Sequence, residues 1–198
     1  MARTQAADYS ERRAAIVERA ARLFAERGFL GASIADLAEA CESSKSLIYH
    51  YYASKEGILF DVMHSHVQAL LDAAEGIAGR PVSPEAKLRD LTTAFLRLYA
   101  GAAARHRVLL NELQHLPDGQ RMTVIAVQRQ LIEIVNNIIE ELRPDLPSQL
   151  KRPAVMLYFG MINWTHTWLD PDGAAKPPEI AALATNLFLH GVDSGEIL

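Results

Sequence analysis

The stretch Ser33-Ile34-Ala35-Asp36-Leu37-Ala38-Glu39-Ala40-Cys41-Glu42-Ser43-Ser44-Lys45-Ser46-Leu47-Ile48-Tyr49-His50-Tyr51 decides the fold. Ser33 stands directly before Ile34, with Asp36 three residues on, which is the spacing of a capping box with Asp in place of the usual Glu. It predicts a short helix from Ile34 to about Ala40. Ser43 or Ser44 then caps a further helix running from about Lys45 to Tyr51. Upstream, Ile16, Ala20, Leu23 and Phe24 recur at helical spacing between Ser10 and Arg27, and Gly28 stands where a left-handed C-cap would end that helix. Two short helices joined by a tight turn and supported by a longer one form a helix-turn-helix unit, whose second helix enters the major groove of DNA.

The residue types suit that task. Ile34, Leu37, Ala38 and Ile48 make a face that buries against Leu23 and Phe24, leaving Lys45, Ser46, Leu47, Tyr49 and His50 outward. Lys45 donates to a guanine edge or a phosphate, Ser44 and Ser46 donate or accept, and Leu47 offers contact to a thymine methyl. Tyr49, His50 and Tyr51 suit phosphate oxygens on the flank of the helix. Ser33 and Lys55 lie at helix N-termini, where free amides favour a phosphate, and would set register rather than read sequence. The competing reading of such residues is a solvated helix face; ordered spacing over four segments favours the interface. Tyr52 is read as packing, and Cys41 as a small buried residue rather than a redox sensor.

Ser54 and Glu56 open a fourth helix that continues to about Ile77. After the break at Gly79-Arg80-Pro81, Ser83-Pro84-Glu85 reads as an N-cap, a proline at the first helical position and a favourable acid. A helix to about Ala104 follows, then a shorter one from Arg105 to Leu116, ended by Pro117-Asp118-Gly119. Val124, Val127, Leu131, Val135, Ile138 and Leu142 mark a helix over Gln120 to Leu142. Two more are expected, from about Ser148 to Leu169 and from about Pro178 to Val192. Strand signals are nearly absent. The expected architecture is all-α with about nine helices, divided into a three-helix DNA-binding domain over 1–55 and a larger helical ligand-binding and dimerisation body over 56–198.

The 198 residues are 49% hydrophobic and 22% charged, which is enough to build a buried core. One cysteine forms no intramolecular disulfide, no apolar run approaches the roughly 18 to 20 residues that span a bilayer, and the start of the chain is polar; a cytoplasmic, non-membrane protein is expected. The net charge of −4 is uneven, because residues 1–55 carry eight Lys and Arg against seven Asp and Glu while the remainder carries twelve against seventeen. The chain lacks a Gly-x-Ser-x-Gly elbow, a phosphate-binding glycine loop and a cysteine pair of zinc spacing, so no enzyme and no cofactor are expected. Seven histidines suggest no metal site: His64 and His66 lie two apart on one helix, and His106, His115, His166 and His190 are scattered.

The run Ala21-Arg22-Leu23-Phe24-Ala25-Glu26-Arg27-Gly28-Phe29, then Ser33 to Ala38, then Ser44-Lys45-Ser46-Leu47-Ile48-Tyr49-His50-Tyr51-Tyr52, then Ser54-Lys55-Glu56 resembles the TetR-type bacterial transcriptional regulators. The resemblance implies an all-helical homodimer with a DNA-binding head, a body that senses a small molecule, and a double-stranded pseudopalindromic operator as partner. One departure stands out. The turn between the second and third helices usually carries glycine, and here that position is Glu42, which either avoids positive φ or adopts it at a small cost.

In the body, Ile180, Leu183, Ala184, Leu187, Phe188, Gly191 and Val192 form one stripe, read either as a dimer surface or as an intrachain core. The segment Met156 to Pro171 is rich in aromatics with polar tips and lines either a ligand pocket or the core. Within it Trp164 and Trp168 are four apart, as are Asn163 and Thr167, so a continuous helix would give one side stacking surface and another hydrogen bonds. With Tyr99 to Glu112, the segment resembles the sensor half of regulators of phenylacetate and related acyl-CoA breakdown. That similarity implies an acyl-CoA effector, with Tyr99, Asn163, Trp164, Thr167 and Trp168 as candidates for its contacts and Arg105 or Arg107 meeting CoA phosphates. The resulting expectation is a ligand-released repressor. The alternative is a helical ligand-binding or scaffolding protein without specific DNA binding.

Overall fold

The computed structural model describes residues 2–170 and 173–191, with side chains from residue 9 onward. Among the described residues the chain is helical throughout: α1 (Ala2–Gly31), α2 (Ile34–Ala40), α3 (Lys45–Tyr51), α4 (Lys55–Ala78), α5 (Pro84–Gly101), α6 (Ala103–Asn111), α7 (Asp118–Leu142), α8 (Ser148–Asn163) and α9 (Pro177–His190). Short 3₁₀ turns cover Leu113–His115 and Trp164–Thr167. The described residues contain no helix long and apolar enough to cross a membrane.

The chain forms two compact units, one of residues 1–67 with 104–125 and one of residues 68–103 with 126–198. In the first, Ile16, Ala20, Leu23 and Phe24 of α1 are buried together with Leu37 and Ala38 of α2, Ile48 of α3, Ile58, Leu59, Val62 and Met63 of α4, and Val108 and Leu109 of α6. The inclusion of α6 and the start of α7 distinguishes this unit from a head ending at residue 55. Gly28 interrupts α1 at φ 72 and ψ 161, a region essentially reserved for glycine but extended rather than left-handed helical. The chain therefore swings out at Gly28 and makes one last turn to Gly31 before α2 begins.

The start of α2 is the expected capping box. Asp36 N–H donates to Ser33 Oγ at 3.2 Å, and Ser33 N–H donates to the Asp36 carboxylate at 2.8 Å. The Ser33 bonds hold the Asp36 carboxyl below its usual range. Of the two candidate caps for α3 it is Ser44 that serves, its Oγ accepting from Leu47 N–H at 3.2 Å. Between these helices Glu42 takes φ 50 and does not avoid the left-handed region.

In the second unit, Leu88, Leu91, Phe95 and Leu96 of α5, Val135 and Ile138 of α7, Tyr158 and Ile162 of α8 and Ala181 and Ala184 of α9 are buried. Ser83 caps α5 as expected, accepting from Ala86 N–H at 3.2 Å. Thr92 Oγ1 and Tyr158 OH share a buried hydrogen bond of 2.9 Å, so the phenol enters the core without losing a partner.

Several expected boundaries move; the helix expected over Arg105 to Leu116, for one, is α6 and ends at Asn111. α5 stops at Gly101 because Ala102 leaves helical geometry at φ −138. Pro117-Asp118-Gly119 starts α7 instead of ending a helix: the Pro117 carbonyl accepts from Arg121 N–H at 2.9 Å and Asp118 sits in the first turn, where the helix dipole favours an acid. The helix expected to reach Leu169 is α-helical only to Asn163 and then tightens to 3₁₀. Val192, assigned to the last stripe, lies outside the described residues.

Candidate nucleic-acid interface

α3 is a seven-residue helix with one fully buried anchor, Ile48 at 0% exposure. Around that anchor Lys45, Ser46, Tyr49 and His50 are exposed, Tyr49 by 55%, while Leu47 and Tyr51 are half-buried. The Tyr51 ring lies against Tyr9 of α1 at a centroid distance of 4.7 Å, and Tyr9 also meets the edge of His50 at 6.4 Å. Ser44, exposed at the N-cap, uses its oxygen as an acceptor and keeps its hydroxyl proton to donate. The structure thus brings Ser44, Lys45, Ser46, Tyr49 and His50 onto one short exposed element.

The other two candidates are engaged elsewhere. Ser33 is exposed, but its hydroxyl and amide are both bound to Asp36. Lys55 donates from its ammonium to the carbonyls of Phe29 and Ala32, each at 2.8 Å, and lies 4.1 Å from the Phe29 ring centroid. Two of its three protons hold the α1–α2 connection, because the helix-opening lysine sits against carbonyls that the Gly28 break leaves outside a regular helix.

Tyr52 closes the far end of α3. Buried to 6% exposure, it donates to the Asp61 carboxylate at 2.7 Å and accepts from Arg13 Nε at 3.2 Å. Burial, and then Asp61, push its phenol pKa up, so it stays protonated. Arg13 and Asp61 also form an ion pair at 2.5 Å. This triad, which joins α1 and α4 through the C-cap of α3, was not legible in the sequence, since its members lie up to 48 residues apart and each residue type is common on helix surfaces.

The residues assigned to an effector divide between the two units. Tyr99 is buried and donates to Asn163 Oδ1 at 2.8 Å within the second unit, and burial holds its phenol pKa well above the ordinary value. Trp164 and Trp168 are exposed by 65% and 55%, and Thr167, also exposed, returns its hydroxyl to the Trp164 carbonyl at 2.8 Å. In a 3₁₀ turn residues three apart eclipse, which removes the four-residue pairing expected of a continuous helix. Arg105 and Arg107 belong to the first unit. There Arg105 pairs with Glu18 at 3.2 Å, and Arg107 is exposed. An apolar cleft of about 360 Å³ lined by Ile139, Leu142, Leu146, Leu157, Phe188 and Leu189 in the second unit contains none of the seven.

Scattered in sequence, His66 and His106 meet in the first unit, Nε2 of one 3.2 Å from Nδ1 of the other, at 2% and 1% exposure. Burial, and then the nearby Arg105 charge, depress His66 to about 4. No cluster of three metal-ligating side chains occurs among the described residues.

An exposed helix set on a buried isoleucine, preceded by a capped partner helix, is the geometry of a DNA-binding head. Comparison with known proteins agrees. Residues 16–62 match the family model described as bacterial regulatory proteins, tetR family, and residues 81–192 match that of the tetracyclin repressor-like C-terminal domain. The chain belongs to the TetR family of transcriptional regulators; it is a DNA-binding regulator and not an enzyme. It is 25% identical to the HTH-type transcriptional repressor KstR2 of Mycobacterium tuberculosis over 195 residues, covering 94% of this chain and 96% of the relative. A TetR-family transcriptional regulator from Bordetella parapertussis superposes with a TM-score of 0.88 at 42% identity, covering 90% of this chain and 94% of that one. AibR, solved with isovaleryl coenzyme A and operator DNA, shares the fold at TM-score 0.80 and 24% identity, over 90% of this chain and 98% of AibR.

Proposed function

We propose that the protein is a ligand-released transcriptional repressor that binds a pseudopalindromic operator as a homodimer, with α3 as the reading helix. The observation that carries this reading is the division of α3 into one buried anchor, Ile48, and an exposed set of Lys45, Ser46, Tyr49 and His50. Lys45 and Ser46 reach base edges, and Ser44, Tyr49 and His50 bind phosphates. Leu47 and Tyr51 take lesser parts at the margins, and Ser33 acts through the α2 cap.

A single head reads too few base pairs to be specific, so a second copy is required. Met156, Leu157 and Gly160 are exposed on α8, Trp164 at the 3₁₀ turn that follows it, and Leu183 on α9. A continuous apolar strip of this kind marks an association surface. Sedimentation of the full chain is expected to give a dimer, and Leu157→Asp, altering a side chain 72% exposed, to give a folded monomer that loses operator binding. A wild-type monomer at micromolar concentration would refute this arrangement.

For the effector we propose an acyl-CoA thioester, with Tyr99 and Asn163, which hydrogen-bond to each other at 2.8 Å, among its polar contacts. Its support is the similarity of the sensor half to acyl-CoA regulators, together with AibR, a protein of the same fold solved with isovaleryl coenzyme A. An effector acts only through its different affinity for the DNA-competent and DNA-incompetent forms. Calorimetric titration with isovaleryl-CoA and phenylacetyl-CoA, against CoA and the free acids, tests it. Heat and operator release with a thioester are expected; neither with any thioester would discard this effector class.

A further inference from the structure

We propose that Glu112 is a positioning residue of the DNA-binding head, a latch that ties the end of α6 to the α1–α2 connection and so sets where the helix pair is held. Phe29 N–H, 83 positions away in sequence, donates to Glu112 Oε2 at 3.2 Å. The Glu112 side chain is only 16% exposed, and His115 Nε2 lies 3.4 Å from the same oxygen. The His115 ring stacks on Phe29 at 5.4 Å between centroids, with 22° between the ring planes. Phe29 itself is 3% exposed and sits edge-on to Phe24 at 5.5 Å.

Both backbone polar groups of Phe29 are therefore held by charged side chains from other elements. Glu112 takes the N–H, and Lys55 takes the C=O as well as that of Ala32. The Gly28 break makes this arrangement necessary: at φ 72 and ψ 161 the chain leaves the helix, and its next amide meets an acceptor supplied by another element. A hydrogen bond to a charged acceptor is stronger than a neutral one, and its loss leaves a buried donor unsatisfied. Because Ala32 leads directly into the Ser33 cap of α2, a shift of the α6 end moves Phe29, then α2, then α3. All of these residues lie in one compact unit. That sequence of contacts gives a change at α6 a physical route to the reading helix.

The inference rests on the DNA-binding reading above, and the experiment separates the two. Full-length wild type, Glu112→Ala and Glu112→Gln are compared by amide hydrogen exchange over residues 29–51. They are also compared by binding to a duplex selected in vitro with the wild type and to a scrambled duplex. Glu112→Ala is expected to speed exchange about tenfold at Phe29, to spread faster exchange into α2 and α3, and to weaken the selected duplex about tenfold with little change on the scrambled one. Glu112→Gln keeps an oxygen that accepts from Phe29 and is expected to restore most of both. If Glu112→Ala does not fold, Glu112→Asp, which withdraws the acceptor by one carbon, carries the same expectation. Faster exchange confined to Phe29 with unchanged selected binding would overturn the latch, as would equal losses on both duplexes. A wild type that selects no duplex would sink the DNA-binding reading, while exchange in α2 and α3 would still decide the latch.

Discussion

Glu42 holds the left-handed conformation in the turn that sets α2 against α3, at φ 50, where a side chain is disfavoured. Glu42→Gly relieves that strain at some cost in unfolded-state entropy, so a net stabilisation of up to about 1 kcal/mol is expected. It also removes an anion from the head, and tighter duplex binding at low salt should accompany the higher melting temperature. A lower melting temperature would show that Glu42 makes a compensating contact. His66 provides a pH test, facing His106 of α6 with Arg105 beside it. Its folded pKa, about 4, lies below the unfolded value of about 6.5. The unfolded chain therefore binds the extra proton first. The stabilisation is complete above pH 6.5 and is lost as pH falls toward 4, by up to about 3 kcal/mol. Melting curves at pH 7.5 and 5 are expected to differ less for His66→Gln than for the wild type; equal differences would remove His66 as the cause. Residues whose partners are local were legible in the sequence, as Ser33 and Ser44 show. The bonds of Lys55 were not, because its partners Phe29 and Ala32 lie 26 and 23 positions away.

α3, at seven residues, is too short to be stable alone and depends on its cap and on Ile48. Ser44→Ala removes the acceptor for Leu47 N–H and is expected to cost about 1 kcal/mol in chemical denaturation, with weaker operator binding at unchanged dimerisation. No change in either would assign the start of α3 to tertiary packing alone. The bounds of α2 and α3 were legible because a cap, an apolar anchor and a break coincide within a few residues. Those of α8 were not. Apolar and aromatic residues continue past Asn163, so the pattern gave no sign of the tightening to 3₁₀ that exposes Trp164 and Trp168. Pro117-Asp118-Gly119 misled for a related reason, since proline suits the residues just before a helix as well as those after one.

Across the whole molecule, the net charge of −4 conceals a DNA-binding head because only local charge and hydroxyl placement matter at the duplex. The two compact units are discontinuous in sequence, with residues 104–125 joining 1–67. No composition shift marks such a boundary, and the side chains that join residues 104–125 to the head, Arg105, His106 and Glu112, are of ordinary types until their distant partners are known. The binding partner was legible in outline from the α2–α3 pattern, whereas pocket lining depends on how the helices of one unit pack. The proposed homodimer requires two copies of α3 to read DNA together. Its most direct measurement is fluorescence anisotropy of the wild type on its selected pseudopalindrome and on the same duplex with about five base pairs, half a helical turn, inserted between half-sites. The expected result is tight, strongly salt-dependent binding to the first, lost on the second and weakened on the first by Lys45→Ala or Tyr49→Ala. Equal affinity for both duplexes, or binding indifferent to both substitutions, would contradict it.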